Sequence, residues 1–366
     1  MPTVLGGAVE KTQLQLAEAY AAAGHDVTMI SRQFDSFPKE EIVSGVRHIR
    51  IPAFDRGQVF AMNLVRDWGY SSRAAKAMPI SDITVTNGFS LPMLVSRKKA
   101  GRIYVNVNRF PKGQLLLYRK ADRFQAVSTI VADAIVKQVP AYAGKVVVIG
   151  NPVPQRYFTN KPKKPTVLFV GRLAREKGIH QLIQAFGAMA KKAGFSPEWK
   201  LRIVGPHAFE HGGDGIQYLN ELKRLAAPME TRCQFVGPVF NEEALIAEYA
   251  SAAIFVYPTV ASKGEALPVA PLEAMAAGCA VVVSKLSCFD DYIRDGVNAL
   301  QFDHTQEGAA NQLAGLLMTL IENIDSRQRL ASAGREKAEE FCLPVIAHKM
   351  LQDFDGLFRL NNVVSQ

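Results

Sequence analysis

Residues 167–178 of this chain read VLFVGRLAREKG. The apolar run Val167–Val170 predicts a buried β-strand, and the segment Ile179–Met189 beyond the loop has the spacing of an amphipathic helix. The loop between them carries a guanidinium group on Arg172 and an ammonium group on Lys177. A strand-to-helix loop with two such cations suits a diphosphate, because the start of a helix is itself attractive to anions.

A second informative stretch, residues 265–273, reads EALPVAPLE. It contains Glu265 and Glu273, and Glu273 opens a run of small residues with helical character, Glu273–Ala277. A carboxylate accepts two hydrogen bonds at once and therefore suits the paired hydroxyls of a ribose or a hexose. A phosphate clamp and a hydroxyl reader in the same half of the chain predict a nucleotide-sugar site.

Short β-branched runs alternate with amphipathic segments on both sides of residues 151–165, where Pro and Lys accumulate. This alternation predicts two doubly wound α/β domains with the Pro/Lys segment as their linker. The predicted strands are Val27–Ile30, Ile83–Thr86, Ile103–Val107, Phe124–Val127 and Val146–Ile149, then Val167–Val170, Leu201–Val204, Gln234–Val236, Ile254–Tyr257 and Ala280–Val283. The predicted helices of the first half are Gln13–Ala23, Val59–Ala77 and Thr129–Val139, and the last ~50 residues are helical in pattern.

The expected first strand is missing from the pattern. A doubly wound domain begins with a strand that leads into a glycine turn and a helix. Here the turn, Gly6 and Gly7, follows only Met1–Leu5, a stretch that contains Pro2. Truncation or a misassigned start codon is the favoured explanation, and another segment in the same position is the alternative.

The excess of positive charge lies in the first half of the chain. Residues 1–150 hold 20 Lys and Arg against 11 Asp and Glu, whereas residues 151–366 hold 23 of each kind. Residues 97–123 alone hold nine basic residues and one acidic residue, Asp122. This favours contact with an anionic membrane surface or a phosphate-bearing acceptor, with a solvated basic face as the alternative. Nucleic acid is disfavoured, because no recognition motif accompanies the charge.

Several other classes of protein are disfavoured. No apolar run approaches the ~20 residues of a membrane-spanning helix, and the start does not have the pattern of a secretory signal. The four cysteines lack CxxC spacing and are interpreted as reduced thiols of a cytoplasmic protein. No metal site is expected. The weak candidates for metal ligands are the Asp353-Phe354-Asp355 triplet and a glycine-rich loop with His207, His211 and Asp214. That loop is also a weak candidate to flank the base of a donor nucleotide.

In these two motifs, the chain resembles the retaining glycosyltransferases of family 4. The resemblance is carried by the glutamate pair followed by Ala-Met-Ala-Ala-Gly and by the Gly171–Gly178 loop, and it is strongest over Val167–Asp303. It implies the α/β GT-B fold, with two doubly wound Rossmann-like domains facing a central cleft. The implied divisions are an acceptor-side domain at 1–155, a nucleotide-sugar-binding domain at 156–343 and a helix at 344–366 that returns to the first domain.

The same resemblance implies a role for each motif residue. Arg172 and Lys177 would hold the donor diphosphate and stabilise its charge as the glycosidic bond breaks. Glu265 would face the transferred sugar, and Glu273 would hold the ribose hydroxyls. The other implied donor-binding positions are Gly6, Gly7, Gly171, Leu267, Pro268, Val269 and Ala270, of which Pro268 has no N–H group to offer.

One position departs from the family pattern. Members usually carry a histidine at the end of a first-domain strand, beside the transferred sugar. Here the strand Ile103–Val107 is followed by Asn108. Asparagine donates a hydrogen bond but is not an acid or base near neutral pH. Asn108 is retained as a catalytic candidate, since a front-face transfer passes the acceptor proton to the leaving phosphate and does not require that base. A plain strand-end residue is the alternative.

The sequence therefore predicts a retaining, metal-independent hexosyltransferase that uses a nucleotide-diphosphate sugar as substrate and no cofactor. Its acceptor would be a glycan, a lipid-linked molecule or a small molecule, in polysaccharide or glycoconjugate biosynthesis. One alternative is a catalytically impaired nucleotide-sugar-binding protein of the same fold, suggested by Asn108 and the missing strand. Another is a sugar-nucleotide epimerase, against which the glutamate spacing argues.

Overall fold

The computed structural model describes residues 8–34, 36–54, 57, 59–261 and 264–363. They form two compact units, one that ends at Pro152 and resumes at Leu343, and one that spans Val153–Cys342. The two ends of the second unit meet, because the Val153 N–H donates to the Phe341 carbonyl over 2.8 Å. Gly6, Gly7 and the strand expected before them lie outside the described residues.

The described strands of the first unit form two sheets. They are β1 (Val27–Arg32), β2 (Glu40–Val43), β3 (Val46–Ile51), β4 (Ile83–Thr86), β5 (Arg102–Val107), β6 (Arg123–Ala126) and β7 (Val146–Val148). One sheet has the order β1-β3-β2, and the other is parallel in the order β4-β5-β6-β7. All five strands predicted for this half are present. Buried apolar residues of β5 and β6 form part of the core of the first unit.

The hairpin of β2 and β3 was not predicted. Its two-residue turn consists of Ser44, with φ 50°, and Gly45, with φ 77°. Left-handed φ values at both turn residues are typical of a type I′ turn, whose twist matches that of the paired strands. The Ser-Gly pair was the available signal, but β2 is an exposed edge strand, with Ile42 74% exposed. Its burial pattern therefore gives little periodicity to detect.

The helices of the first unit include one from the end of the chain. They are α1 (Ala8–Ala22), α2 (Phe60–Ala77), α3 (Leu91–Leu94), α4 (Arg97–Ala100), α5 (Thr129–Gln138) and, far along the sequence, α12 (Leu343–Val363). Phe354 of α12 makes edge-on ring contacts with Tyr20 at 5.6 Å and Tyr104 at 4.9 Å between centroids. Its neighbour Asp353 pairs with Arg123 over 2.8 Å, so this member of the acidic triplet has a structural partner.

The second unit contains one parallel sheet of six strands. They are β8 (Lys164–Val170), β9 (Lys200–Val204), β10 (Cys233–Gly237), β11 (Ala252–Tyr257), β12 (Ala280–Ser284) and β13 (Leu300–Phe302), in the order β10-β9-β8-β11-β12-β13. The five predicted strands are confirmed, and β13 was missed. Successive strands are added on one side of β8 and then on the other. The gap between β8 and β11 is therefore the switch point at which ligands of doubly wound sheets bind.

Six helices accompany this sheet in the described part of the second unit. They are α6 (Ile179–Ala190), α7 (Gly215–Ala226), α8 (Glu242–Ser251), α9 (Val269–Ala276), α10 (Ala309–Glu322) and α11 (Ile324–Glu339). The prediction placed the start of α9 at Glu273, whereas the helix begins four residues earlier. Pro271 lies within the first turn of this helix, where proline is tolerated because no intrahelical N–H bond is lost.

We expect Phe354→Ala to destabilise the first unit by about 3 to 5 kcal/mol, because it removes a buried ring between two tyrosines. Phe358, one turn later on the same helix and 43% exposed, supplies the matched control. Phe358→Ala should cost less than about 1 kcal/mol. Urea denaturation checks both variants, and equal losses would show that α12 is not docked through Phe354.

Candidate active site

The two motif loops meet at the switch point of the second unit. Lys177 lies in the loop that follows β8, and Glu265 lies in the loop that follows β11. The two strands are parallel neighbours, so their carboxyl ends carry both loops to the same edge of the sheet. Residues 88 positions apart in sequence are brought into direct contact there.

Lys177 and Glu265 form an ion pair that is largely shielded from water. Lys177 is 5% exposed, and its Nζ donates to Glu265 Oε1. The same carboxylate oxygen accepts hydrogen bonds from the hydroxyls of Tyr257 at 3.1 Å and Thr259 at 3.2 Å. The ammonium also lies 5.4 Å from the centre of the Tyr257 ring. Three donors on one oxygen hold the Glu265 side chain in a single position.

The surroundings keep the neighbouring donors protonated. Burial, with the Glu265 carboxylate adding to it, raises the pKa of Tyr257 well above its ordinary value. The same two causes raise the pKa of the Cys288 thiol to about 12. The tyrosine therefore remains a hydrogen-bond donor at neutral pH, and Cys288 remains a thiol. All four cysteines are free in the structure.

Backbone contacts lock the two loops together. The Glu176 carbonyl accepts from the Val260 N–H at 2.8 Å, and it lies 3.0 Å from the Thr259 hydroxyl, whose single proton it shares with Glu265. Gly178 has φ 64°, and a β-carbon there would lie 2.0 Å from the Pro258 carbonyl oxygen. Only glycine allows this approach, which turns the chain into α6 and brings Lys177 under the β11 loop.

Arg172 lies at the same edge of the sheet but is more accessible. Its guanidinium donates to the Gly212 carbonyl and, over 2.9 Å, to Glu176, and the side chain is 45% exposed. Gly171 precedes it, and a β-carbon there would lie 2.9 Å from the Phe169 ring. The weakly predicted glycine-rich loop is thus in contact with this arginine. Asp214 of that loop accepts from the Arg175 N–H over 2.6 Å.

The start of α9 adds backbone donors to the site. Pro268 is its N-cap residue, and no side chain caps the helix. The N–H groups of the first turn, on Val269 and Ala270, are therefore placed to meet an anion. The Tyr292 hydroxyl donates to the Pro268 carbonyl over 2.8 Å and fixes this end of the helix. Leu267, directly before the cap, is buried.

Glu273 projects from the second turn of α9. Its Oε2 accepts a hydrogen bond of 2.9 Å from the hydroxyl of Tyr249, a fully buried residue. Burial and the Glu273 carboxylate raise the pKa of Tyr249 well above its ordinary value, so the tyrosine is a permanent donor. A carboxylate has about four lone-pair sites and can accept from paired hydroxyls while it is held in this way.

The structure places Asn108 in the first unit, directly after β5 as predicted. Its side-chain amide nitrogen is buried and makes no hydrogen bond with a described residue. The catalytic assignment of Asn108 stays a prediction.

The sequence interpretation missed the tyrosines and the threonine that position both glutamates. A signal for two of them existed, because Tyr257 and Thr259 are polar residues at the carboxyl end of a strand that is otherwise apolar. Tyr249, at the inner face of α8, had no such signal and was indistinguishable from an ordinary core aromatic.

Among the described residues, no group of three or more His, Cys, Asp or Glu side chains could hold a metal ion. Within the same part of the chain, no helix is both long and apolar enough to cross a bilayer.

Comparison with known proteins identifies the family. Residues 155–337, which contain both motif loops, match the family described as Glycosyl transferases group 1. The chain belongs to this family. It is a glycosyltransferase, as the motifs predicted, and the two α/β units have the GT-B fold.

The relatives cover nearly the whole chain. The phosphatidyl-myo-inositol mannosyltransferase of Mycobacterium tuberculosis is 27% identical over 378 residues, which cover 95% of this chain and 93% of the relative. Sucrose-phosphate synthase from Thermosynechococcus elongatus has a TM-score of 0.77 at 21% identity and covers 97% of this chain and 94% of its own. The Anabaena protein HepE, in complex with UDP and glucose, has a TM-score of 0.74 at 17% identity, with 96% of each chain covered.

We expect Gly178→Ala to destabilise the second unit by about 3 kcal/mol or more, because the new β-carbon meets the Pro258 carbonyl. Gly194 also has a left-handed φ, of 82°, but nothing lies within 4 Å of a β-carbon there. Gly194→Ala should therefore cost only about 1 to 2 kcal/mol. Thermal unfolding compares them, and the same loss in both variants would refute the close approach of the loops.

Proposed function

We propose that this glycosyltransferase transfers a hexose from a nucleotide-diphosphate sugar with retention of anomeric configuration and without a metal ion. The observation that carries the proposal is the shielded Lys177–Glu265 pair beside the uncapped start of α9. It combines a cation for a diphosphate with a carboxylate for sugar hydroxyls. The UDP bound to HepE, a protein of the same fold, supports a donor of this kind.

Arg172 and Lys177 would stabilise the leaving diphosphate. An ammonium has three N–H donors and a guanidinium has five, so each can bind a phosphate oxygen and keep the protein contacts described above. As the bond between the sugar C1 and the diphosphate oxygen breaks, negative charge grows on the leaving group. The buried Lys177, the more exposed Arg172 and the N–H groups of Val269 and Ala270 would supply the electrostatic stabilisation that a metal ion supplies elsewhere.

The two glutamates would orient the donor. Glu265, held by Tyr257 and Thr259, would accept hydrogen bonds from the hexose hydroxyls, and Glu273, held by Tyr249, from the ribose hydroxyls. In the transfer, the acceptor oxygen bonds to C1 on the face that the diphosphate leaves. The acceptor proton passes to the departing phosphate oxygen, so no protein base is required and Asn108 needs only to donate a hydrogen bond.

We expect Glu273→Ala to weaken nucleoside diphosphate binding about tenfold or more, because the ribose hydroxyls lose a charged acceptor. The measurement is calorimetric titration with UDP, GDP and ADP in turn. Glu243→Ala, an exposed glutamate on α8, is the control and should bind as the unchanged protein does. Unchanged affinity of Glu273→Ala for the nucleotide that binds would refute the ribose-binding role.

A specific observation favours a second candidate function. Asn108 replaces the histidine usual in the family, which suits a nucleotide-sugar-binding protein with impaired catalysis. Incubation of the chain with its donor, candidate acceptors and EDTA separates the candidates. Release of nucleoside diphosphate, with a product of unchanged anomeric configuration by NMR, supports the transferase, whereas tight donor binding without turnover supports the binding protein.

For a lipid-linked acceptor, we propose that the first unit contacts an anionic membrane. Leu116 and Leu117 are 57% and 55% exposed within the basic segment 97–123, an arrangement suited to insertion beside acidic headgroups. The chain should sediment with vesicles that contain acidic phospholipid and not with neutral ones. Leu116→Ser/Leu117→Ser should reduce this binding several-fold, and equal sedimentation with both vesicles would refute the contact.

A further inference from the structure

A second concave site lies at the opposite edge of the same sheet. It has a volume of about 660 Å³, and its lining includes Lys161, Lys164, Lys200, Arg202, Gln234 and Glu248. We call this surface the lysine bay. Its strand residues come from the first three positions of β8, β9 and β10, Lys161 precedes β8, and Glu248 lies on α8. The candidate active site, in contrast, follows the last positions of β8 and β11. A strand of this length spans about 20 Å, so the two sites are separate.

Strand pairing explains why polar side chains converge in the bay. Along β9, Lys200 and Arg202 are two residues apart and therefore point to the same face of the sheet. Thr166 of β8 pairs with Lys200, and Gln234 of β10 pairs with Arg202, so all four residues share this face. The face beneath a helix is ordinarily apolar in a doubly wound sheet. In this protein, the part of that face near the amino ends of the strands is polar.

The charge of the bay is strongly positive. Arg202 donates two hydrogen bonds, of 2.8 and 2.6 Å, to the Glu248 carboxylate and one of 2.6 Å to Gln234. Arginine and glutamate thus neutralise each other and hold the guanidinium in place. None of the lysines at positions 161, 164 and 200 makes an ion pair with a described residue. Three ammonium groups therefore remain uncompensated around one cavity.

The segment that supplies two of these lysines is fixed in position. Lys163, between them, turns inward, and its Nζ donates to the Ala277 carbonyl over 2.6 Å and to the Tyr249 carbonyl over 3.3 Å. Pro162 and Pro165 restrict the backbone on either side. Residues 153–165 of the Pro/Lys segment thus belong to the second unit, where Lys161 and Lys164 are exposed to solvent.

We propose that the lysine bay binds a small oxyanion with at least two negative charges, such as inorganic pyrophosphate or a phosphate monoester. Three ammonium groups on flexible stems can close on phosphate oxygens, and the preset Arg202 guanidinium has two N–H groups that make no hydrogen bond with a described residue. No residue of the proposed donor site takes part. The inference therefore stands whether or not the proposed transfer is correct.

The test is calorimetric titration of the full chain with inorganic pyrophosphate at low ionic strength. Pyrophosphate can also bind at the candidate active site, so Arg172→Ala, which weakens that site and leaves the buried Lys177–Glu265 pair intact, serves as the background. In this background, Lys164→Ala/Lys200→Ala should weaken the remaining binding about tenfold or more, because two charged hydrogen-bond donors are lost. Lys191→Ala/Lys192→Ala removes the same formal charge outside the bay and should leave the affinity unchanged.

Pyrophosphate affinity that is equal in the bay variant and the background would overturn the proposal. So would an equal loss in the bay variant and the Lys191/Lys192 control, which would indicate only general charge attraction. Retention of each variant's melting temperature shows that the comparison is made on folded protein. Failure of the donor site would appear separately, as absent nucleotide binding with bay binding retained.

Two further binding measurements distinguish a free phosphate ester from a lipid headgroup as the ligand. The ligand is a free phosphate ester if glucose 6-phosphate displaces pyrophosphate and the chain does not bind to vesicles of phosphatidic acid. Vesicle binding that Lys164→Ala/Lys200→Ala removes indicates a lipid headgroup, since the proposed membrane contact at Leu116 and Leu117 is unaltered in that variant.

Discussion

Lys177 and Glu265 are almost excluded from water, where each needs the other as an ion-pair partner. The rest of the second unit follows from this pairing. The pair requires β8 and β11 to be neighbours, and therefore requires the strand order to reverse between them. It also requires a glycine at position 178, where the backbone passes the Pro258 carbonyl too closely for any side chain.

The cations of the site differ in what they can do, because they differ in exposure. Lys177 is buried and already bound, so its positive charge would stabilise a diphosphate without moving the side chain. Arg172 is nearly half exposed, and it is free to follow a ligand that arrives and leaves. The N–H groups at the start of α9 are held by the helix backbone, and no side chain caps them. A site that must both bind and release a diphosphate benefits from this combination.

The parts of the fold that the sequence predicted are those governed by local apolar runs. The strands β8 and β11 and the loop residues Arg172 and Lys177 could be placed, since buried parallel strands are apolar along their length. The contact of Lys177 with Glu265 could not be derived from spacing, because it depends on which strands are neighbours. Tyr249 was missed for a related reason. A hydroxyl that holds a carboxylate and a ring that fills the core are the same residue type in sequence.

The meeting of Val153 with Phe341 bears on the order in which the molecule is made. The second unit is one continuous stretch with its ends side by side, so it can close as soon as it has left the ribosome. The first unit is synthesised earlier but lacks α12, whose Phe354 packs between Tyr20 and Tyr104, until the second unit has been made. The first unit, whose synthesis begins before that of the second, is therefore completed after it.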